Sequence, residues 1–342
     1  MRAFTYARAD DAATAVRTAA RQDTPKGSTL ATGSQTEFLA GGTNLIDYMK
    51  LDAMRPASVV DINGLAAQHG RIELRSDGLH LGALVRMSQL GDDAGVKRDY
   101  PVIAETMNLA ASAQLRNMAS LGGNVLQRTR CSYFRDTSWT ACNKRKPGSG
   151  CSAIGGVDRK HAVLGVSDKC ISTYPGDFAQ ALAALDASIE VLGPGGARSF
   201  KFEELHRNSS EPHLETTLSP GDLILGFFIP ASPLAKRSVY VKVRDRESYE
   251  YAIASCAAAL SLGTGGAVDD ARIALGGVAY RPWRAREAEA FLNGKTITPE
   301  TAAEAGRIAF KGAVTHGENA FKPELGAATV ARALLQAAKM EA

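Results

Sequence analysis

Four of the five cysteines in this chain lie within one stretch of sequence. Cys131, Cys142, Cys151 and Cys170 follow one another with ten, eight and eighteen residues between them, and Cys256 stands apart. Four thiolates are the right number and type of ligand for a tetrahedral zinc ion or for a [4Fe–4S] cluster. Structural zinc usually takes cysteines in closely spaced pairs, and no such pair occurs here. The spacing is not that of ordinary ferredoxins either, so the residues alone leave a cluster, zinc, and disulfide-bonded or unligated cysteines open.

The segment that carries these cysteines has little that could fold it. From Arg130 through Gly156 it is rich in charged residues, Gly and Ser, and it shows neither helical nor strand periodicity. A loop that long inside a compact domain is usually functional, disordered, or held by something other than a hydrophobic core. We therefore predict that a metal centre holds it. The odd number of cysteines weakens a disulfide framework, and Cys256, in an apolar predicted strand, is predicted only to pack.

Two double-glycine turns form the second chemical feature. Gly41-Gly42-Thr43-Asn44 follows a predicted strand and precedes a predicted helix, and Ser120-Leu121-Gly122-Gly123-Asn124 has a similar composition. Glycines allow the backbone to approach a pyrophosphate closely, and a helix N-terminus offers unpaired N–H groups. Neither turn is the G-x-G-x-x-G fingerprint or a Walker loop. A tight turn without a ligand therefore remains the alternative for each.

The composition describes a globular protein of several domains. A length of 342 residues predicts two or three domains, and a net charge of +4 argues for no particular polyanion partner. A group of basic side chains in the cysteine segment lacks interleaved aromatic residues, so we predict charge balance or a subunit contact there and no nucleic acid. These side chains are Arg128, Arg130, Arg135, Lys144, Arg145 and Lys146. No apolar run is long enough to span a membrane, and the N-terminal sequence does not resemble a signal peptide, so we expect no export signal of its own.

Periodicity predicts alternating short strands and helices before residue 230 and an antiparallel sheet with helices after it. The predicted helices of the first part are 9–21, a helix through Met49, 87–91, 102–113 and 177–185, and an exposed loop is predicted at 23–36. The predicted strands are 38–40, 58–62, 78–82, 188–192 and 223–229, then 239–243, 252–262 and 268–278. The predicted C-terminal helices are 285–292, 299–310 and 325–340, with Thr298 as a cap and Pro299 in the first turn.

In order along the chain, these motifs resemble the flavin-binding subunit of the xanthine dehydrogenase/molybdenum hydroxylase family. The resemblance rests on the two glycine turns, Arg116-Asn117, Asp177, Leu223–Leu225 and Tyr240–Lys242, and it covers essentially the whole chain. It implies an α+β fold, with a vanillyl-alcohol-oxidase-type (PCMH) FAD-binding domain in two α/β lobes and a C-terminal carbon monoxide dehydrogenase flavoprotein-type domain. The implied boundaries are 1–62 for lobe 1, 63–230 for lobe 2 with an iron–sulfur insertion loop at 127–172, and 236–342 for the C-terminal domain.

The resemblance also implies where FAD binds. Its pyrophosphate would lie between the two turns, Asp177 would meet a ribose hydroxyl, and Lys242 would lie near the flavin ring and favour its reduced, anionic form. From the residues alone, Asp177 could instead cap the helix after it, and Lys242 could be a solvated charge on an exposed strand face. The implied cofactor-binding residues are Glu37, Phe38, Leu39, Ala40, Gly41, Gly42, Thr43, Asn44, Leu45, Ser120, Gly123, Asn124, Asp177, Ile224 and Lys242.

The cysteine segment narrows the resemblance to one branch of the family. Most flavin subunits have a short link between the second glycine turn and the Asp, whereas this chain resembles members that bind an extra [4Fe–4S] cluster. The implied metal ligands are Cys131, Cys142, Cys151 and Cys170. Two such branches are the 4-hydroxybenzoyl-CoA reductases and the bacterial periplasmic aromatic aldehyde oxidoreductases. Tyr133–Asp136 and Pro147–Gly156 look closest to the latter.

The resemblance implies an FAD- and [4Fe–4S]-containing electron-transfer subunit of a molybdenum-dependent aldehyde oxidoreductase. Electrons would come from a large molybdopterin-binding subunit through a small [2Fe–2S] subunit of a heterotrimer, and would leave to an external acceptor. No residue of this chain would act as a catalytic acid or base on the aldehyde. The alternatives are a subunit of the 4-hydroxybenzoyl-CoA reductase or xanthine dehydrogenase type, or a non-catalytic scaffold stapled by zinc or disulfides. We expect a periplasmic location through co-export with a partner bearing a twin-arginine signal, with a cytoplasmic location as the alternative.

Overall fold

The computed structural model describes residues 1–20 and 35–341 of the chain. It contains three β-sheets, and helices cover their faces. The exposed loop predicted at 23–36 lies outside the described residues except for its last two positions. Thr36, the last of these, already belongs to a strand.

A three-stranded parallel sheet begins the chain. Its strand order is β1-β3-β2, and its strands are β1 (Thr5–Arg8), β2 (Thr36–Leu39) and β3 (Ser58–Asp61). The helices of this lobe are α1 (Ala12–Ala20) and α2 (Leu45–Lys50). Val16 of α1 and Val60 of β3 are buried in one cluster, against which Phe38 and Ala40 pack. This packing fixes the turn between β2 and α2.

A five-stranded sheet follows, in which every neighbouring pair is antiparallel. Its order is β4-β5-β8-β6-β7, with β4 (Ile72–Arg75), β5 (Gly78–Gly82), β6 (Ser188–Gly193), β7 (Gly196–Lys201) and β8 (Leu223–Pro230). The helices are α3 (Ala66–His69), α4 (Met87–Asp92), α5 (Ala94–Asp99), α6 (Pro101–Asn108), α7 (Ala113–Met118), α8 (Leu121–Val125), α9 (Ser132–Arg135) and α10 (Phe178–Ala184). Two short 3₁₀ helices are Asn63–Leu65 and Phe202–Glu204.

A four-stranded antiparallel sheet with helices completes the chain. Its order is β12-β11-β10-β9, with β9 (Ser238–Val243), β10 (Ala254–Leu262), β11 (Val268–Gly276) and β12 (Trp283–Arg284). The helices are α11 (Pro233–Lys236), α12 (Arg286–Leu292), α13 (Pro299–Ala309) and α14 (Lys322–Ala338). Thr298 caps α13 as predicted, since its side chain accepts a hydrogen bond from the Thr301 N–H.

The last sheet is buried on both faces, which explains the composition of β10. On one face of β10, Ala257 and Ala259 are buried in the same core as the five-stranded sheet. On the other face, Cys256 and Ala258 are buried in the core that includes α12 to α14. Small side chains let layers pack closely on both sides of one strand. Cys256 is fully buried there, which agrees with the prediction that it is a packing residue.

The α+β prediction is confirmed, and two kinds of element were predicted incorrectly. The helix predicted at 102–113 ends at Asn108, because Ala111 has a positive φ of 49° and Ser112 begins a new helix by accepting a hydrogen bond from Leu115 N–H. The edge strands β1, β4 and β7 were not predicted, because their largely exposed residues give no clear apolar alternation. No helix in the described part of the chain is long and apolar enough to cross a membrane.

Candidate cofactor site

The first glycine turn joins β2 to α2. Glu37, Phe38 and Leu39 lie on β2, the residues from Ala40 to Asn44 form the turn, and Leu45 begins α2. Gly42 has a φ of +74°, a region that favours glycine. The turn thus has the strand-turn-helix context that the sequence predicted.

The second glycine turn packs directly against the first. A Cβ on Gly41 would stand 1.9 Å from the carbonyl oxygen of Met118, so the two backbones approach each other as only glycine permits. Ser120 then caps α8 by accepting a hydrogen bond from the Gly123 N–H at 3.4 Å. The structure therefore brings together two turns that are far apart in the sequence.

Arg86 braces the two turns, and sequence reasoning missed it. Its guanidinium donates to the Met118 carbonyl and, at 2.9 Å, to Asn63 Oδ1. The Asn63 amide in turn donates to the Ala40 carbonyl at 2.9 Å. A lone arginine after a strand carries no motif, so the sequence offered no signal for this role.

Asn124 supplies an unused polar atom at the end of the second turn. The side chain is 7% exposed, and its Nδ2 lies 3.3 Å from the Met87 sulfur. Its Oδ1 is buried and has no hydrogen-bond partner within the described ranges. Buried polar atoms are normally paired. The orphaned oxygen, together with a backbone that only glycine can form, fits a polar ligand held between the turns.

Asp177 and Lys242 form a buried ion pair. Lys242 Nζ lies 2.8 Å from Asp177 Oδ2 and also donates to the Leu109 carbonyl at 3.1 Å. The Tyr240 hydroxyl donates to Asp177 Oδ1 at 2.6 Å, and burial together with the Asp177 charge raises the pKa of Tyr240 well above its usual value. The side chains of Lys242 and Asp177 are 1% and 5% exposed. The two alternatives from the sequence are thus wrong: Lys242 is not solvated, and the Asp177 side chain makes no hydrogen bond that caps α10.

One cationic and one aromatic side chain lie between the Asp177–Lys242 pair and the first glycine turn. The Arg130 guanidinium lies 5.1 Å from the ring centroid of Tyr251 and donates to Asn44 Oδ1. Burial raises the pKa of Tyr251 to about 12, and the nearby Asp177 acts in the same direction. The charged pair and the glycine turn therefore border one region. Ile224 is different, because its side chain is buried in the core of the larger lobe, while its neighbours Leu223 and Leu225 pack toward the first turn.

The cysteine loop brings four distant thiols near one another. Cys142 and Cys151 face each other across an antiparallel bridge, and Cys151 and Cys170 share a hydrogen bond. Burial raises the pKa of Cys131 to about 12, and the nearby Cys170 and Cys142 add to that rise. All four are free thiols. In residues 1–20 and 35–341, however, no three or more His, Cys, Asp or Glu side chains are grouped so that they could hold a metal ion.

The electrostatics of the loop favour a thiolate at one position. The hydrogen bond with Cys151 is the main reason why the pKa of Cys170 is lowered, and the buried Lys144 ammonium acts in the same direction. The same hydrogen bond, followed by burial, raises the pKa of Cys151. Lys144 Nζ itself contacts Glu215 Oε1 at 2.7 Å and the Tyr280 hydroxyl at 2.8 Å. A set of free thiols beside a buried cation fits the chemistry of a thiolate-bound centre.

Polar contacts hold the loop together with two small apolar clusters, one around Phe134 and one around Tyr133. Arg145 donates to the carbonyls of Tyr133, Phe134, Asp136 and Trp139, and Lys144 pairs with Glu215. Arg128 also pairs with Glu215, so that carboxylate has a pKa of about 2 despite its burial. The prediction that the basic side chains balance charge within the loop fits these contacts, although their partners are carboxylates and carbonyls that the sequence did not reveal.

His161 lies against the loop and is not solvated. It is buried, and its Nε2 is 3.2 Å from Cys131 Sγ. Burial, with the positive charge of Lys322, lowers the pKa of His161 to about 4, so its imidazole is neutral near pH 7. The side chain therefore lies beside the cysteine loop and away from bulk solvent.

Two family models match nearly the whole chain. Residues 2–232 match the FAD binding domain in molybdopterin dehydrogenase, and residues 239–337 match the CO dehydrogenase flavoprotein C-terminal domain. These matches confirm the predicted combination of a FAD-binding domain with a CO dehydrogenase flavoprotein-type domain.

Individual relatives are similar over most of their length. The chain is 43% identical to the aldehyde oxidoreductase FAD-binding subunit PaoB of Escherichia coli, over 98% of this chain and 99% of that protein. It is 26% identical to the glyceraldehyde dehydrogenase medium chain of Sulfolobus acidocaldarius, over 78% of this chain and 76% of that one. The structure of quinoline 2-oxidoreductase from Pseudomonas putida 86 has the same fold, with a TM-score of 0.74 at 23% identity and coverage of 99% and 98%.

Proposed function

This chain belongs to the family of FAD-binding medium subunits of molybdenum hydroxylases, and on that premise we propose that it is the electron-transfer subunit of a molybdenum-dependent aldehyde oxidoreductase. The family consists of subunits of molybdenum-containing oxidoreductases, so the chain is part of an enzyme. We propose aldehydes as the class of substrate because the chain is 43% identical to an aldehyde oxidoreductase subunit. That similarity extends over 98% of the chain and so includes the cysteine loop. The other relatives share less sequence and act on varied substrates by name.

FAD would lie between the two glycine turns. The backbone from Gly41 to Asn44 and from Ser120 to Asn124 would hold its pyrophosphate. A hydroxyl group of FAD, which can donate a hydrogen bond, would supply the partner that Asn124 Oδ1 lacks within the described chain. When bound, FAD supplies the conversion of single-electron delivery into two-electron reduction of an acceptor. The residue assignments from Glu37 to Leu45, and at Asp177, Ile224 and Lys242, remain predictions that rest on the family resemblance.

The chain's own residues prepare an environment for that chemistry. The Asp177–Lys242 pair is shielded from water, so its charges act in a medium of lower effective dielectric than water. The Tyr240 hydroxyl and the Leu109 carbonyl fix the carboxylate and the ammonium respectively. A cation held in this way near the ring would favour a negatively charged reduced cofactor over a neutral one.

We also propose that Cys131, Cys142, Cys151 and Cys170 bind a [4Fe–4S] cluster. A single tetrahedral zinc ion with sulfur ligands at about 2.3 Å would draw the four sulfurs to within about 4 Å of each other. A four-iron cluster takes one thiolate at each iron and so keeps its ligands farther apart. Cys131 lies near Cys142 and Cys170, and Cys151 shares a hydrogen bond with Cys170, so each of the four thiols could supply one thiolate to such a cluster. The free state of all five cysteines gives no support to a disulfide staple.

Elemental and spectroscopic analysis tests the two cofactors together. The purified wild-type complex should show flavin absorption with a broad iron–sulfur shoulder, and this chain should account for one FAD and four iron atoms. The variants Cys142→Ser and Cys151→Ser should lose about four iron per subunit. They should also become sensitive to protease within residues 130–170, because the metal would supply the folding energy of a polar loop. Cys256→Ser is the matched control and should keep its iron; equal iron in all variants would contradict the assignment.

The proposed partners are a large molybdopterin-binding subunit and a small [2Fe–2S] subunit in a heterotrimer, with an external electron acceptor. Support comes from relatives that are named as medium chains. Assays of the assembled complex with aldehydes and with aromatic CoA esters separate this proposal from the 4-hydroxybenzoyl-CoA reductase type. Turnover of CoA esters without turnover of aldehydes would reject it.

We further propose that the chain reaches the periplasm folded, by co-export with a partner that bears a twin-arginine signal. The proposal rests on the resemblance to periplasmic aldehyde oxidoreductases. Cell fractionation with and without the small iron–sulfur partner decides it. A chain that reaches the periplasm alone, or that stays in the cytoplasm with its partner present, contradicts it.

A further inference from the structure

His161 is the one imidazole of the described chain that contacts a cysteine of the loop. Its Nε2 lies 3.2 Å from Cys131 Sγ, and the side chain is 6% exposed. Its other ring nitrogen, Nδ1, is buried and has no hydrogen-bond partner among the residues described. His161 is not among the residues that the family resemblance assigns to FAD.

Contacts from both sides hold His161 in this position. On the loop side, the N–H of the next residue, Ala162, donates to the Ile171 carbonyl at 2.9 Å, one residue beyond Cys170. On the C-terminal side, the Asn319 amide donates to the Ala162 carbonyl at 3.3 Å, and the Asn319 N–H donates to Asp158 Oδ1 at 3.1 Å. The His161 N–H completes the turn by donating to the Asp158 carbonyl at 2.7 Å. The backbone at His161 is thus held by residues from two domains.

The direction of the hydrogen bond follows from the state of the sulfur. A thiolate that binds iron has no proton to donate, so the contact requires an Nε2–H that donates to Cys131 Sγ. Among the described residues, Cys170 also makes a hydrogen bond to a side chain other than cysteine. Its sulfur lies 3.4 Å from the Ser172 hydroxyl. His161 therefore supplies the shorter of these two contacts.

We propose that His161 is a positioning residue that raises the reduction potential of the [4Fe–4S] cluster by its hydrogen bond to Cys131. The inference rests on the cluster proposed above. A cluster gains one negative charge when it accepts an electron, and a hydrogen bond to a ligating sulfur stabilises the more negative state. The cluster is therefore easier to reduce with this hydrogen bond than without it.

Potentiometric titration of the assembled complex, followed by EPR, tests this role. His161→Leu removes the donor, and the midpoint potential of the cluster should become more negative while iron and FAD contents and the flavin midpoint stay unchanged. His161→Gln keeps an N–H donor and should restore part of the shift. His80→Leu is the control, because His80 lies on β5 beside Asp77 and should leave every midpoint unchanged.

A measurement on the unaltered complex covers the case in which the leucine variant does not assemble. Labelling with [¹⁵N]histidine and pulsed EPR of the reduced cluster should detect a weak nitrogen coupling and an exchangeable proton. Full iron with an unchanged midpoint in His161→Leu, or no nitrogen coupling in the wild type, overturns this inference alone. An iron-free wild-type complex overturns the cluster assignment and this inference with it.

Discussion

Gly41 is the residue on which the contact between the two glycine turns depends. A Cβ at this position would lie 1.9 Å from the Met118 carbonyl oxygen, and the neighbour is backbone, which cannot rotate away. We expect Gly41→Ala to push the turns apart at a cost of about 1–3 kcal/mol, which weakens FAD binding roughly 5- to 100-fold. FAD released on dialysis, measured by fluorescence, reports the loss.

The matched control for this prediction is Gly195→Ala. A Cβ on Gly195 meets no atom within 4 Å, so this variant should retain FAD at the wild-type level. Retention of stoichiometric FAD by Gly41→Ala would show that the gap between the turns is not the pyrophosphate site. Gly42, with its φ of +74°, is a second position where a side chain would be strained.

Lys242 leads to a prediction about stability. The change Lys242→Met leaves the Asp177 carboxylate buried with the Tyr240 hydroxyl as its remaining side-chain donor among the described residues. Removal of one partner from a buried ion pair typically costs about 3–5 kcal/mol. We therefore expect a clear fall in the thermal unfolding temperature. In the double variant Asp177→Asn/Lys242→Met the loss should be smaller than the sum of the single losses, and strict additivity would show that the pair does not interact.

At the scale of elements, sequence patterns predicted α13 and β10 well and the edges of the sheets poorly. The α13 boundary is set by Thr298 and Pro299, which act locally and can be read from the sequence. β4 and β7 are held by pairing with β5 and β6, and their own side chains are largely exposed. Such strands depend on partners that are distant in sequence, so local patterns do not reveal them.

Helix α2 links the first glycine turn to the cysteine loop. Asp47 Oδ2 on α2 lies 3.1 Å from a guanidinium nitrogen of Arg130 and 2.7 Å from one of Arg135. Both arginines lie near the start of the loop. The Tyr48 hydroxyl donates to the Thr129 carbonyl at 2.8 Å, and its ring packs edge-on against Phe134 at 5.9 Å. The first residues of the loop are therefore held by the same helix that follows the first glycine turn.

This link predicts that one change on α2 disturbs both the cysteine loop and the proposed FAD site. Asp47→Asn removes the charge from a partly exposed carboxylate, so we expect a modest loss of about 1 kcal/mol. That corresponds to roughly fivefold faster proteolysis within residues 130–170 and a similar weakening of FAD binding. Both effects are measured by limited proteolysis and FAD titration. Asp52→Asn, at an exposed pair with Arg2, is the control, and equal behaviour of the two variants would contradict the link.

The pH dependence of this link follows from the pKa of Asp47. Burial by itself would raise that pKa, but Arg135 and Arg130 outweigh burial and lower it from 3.8. A carboxylate whose pKa is lowered in the folded state stabilises that state above its unfolded pKa, and the contribution is lost as the pH falls through the folded value. The difference in proteolysis between wild type and Asp47→Asn should therefore be constant near pH 7 and vanish in strong acid.

At the scale of the whole molecule, the family and the order of its motifs could be recognised from the sequence, whereas the surroundings of the cysteine loop could not. The four cysteines led to the prediction of a metal centre because thiols at such a density are uncommon in an irregular segment. Their neighbours Glu215, Tyr280 and Asn319 come from three distant stretches and are common residue types without a motif. Tyr280 and Asn319 reach the loop because the C-terminal domain packs against it, whereas Glu215 comes from a distant part of the FAD-binding domain.

Lys322, at the start of α14, is a charged residue that is buried in the C-terminal domain at a cost in folding free energy. The side chain is fully buried, and its Nζ donates to the Gly277 carbonyl at 2.7 Å. Burial, with the positive charges of Arg159 and Lys160, lowers the pKa of Lys322 from 10.5 to about 7. A shift of this size corresponds to roughly 5 kcal/mol of unfavourable free energy when the folded protein keeps the lysine charged.

Replacement of this lysine should therefore stabilise the protein. Lys322→Met removes the buried charge but leaves the Gly277 carbonyl without its donor, at a cost of about 1–3 kcal/mol. A net gain of about 2 kcal/mol in the free energy of unfolding is expected at pH 6. Between pH 7 and 10.5 the unfolded wild type binds more protons than the folded one, so wild-type stability rises with pH and the advantage of the variant shrinks. Lys311→Met, at an exposed position, is the control for denaturation measured at pH 6 and pH 9. A variant that is less stable than wild type at pH 6, or whose advantage grows with pH, would show that Lys322 is not a buried charge.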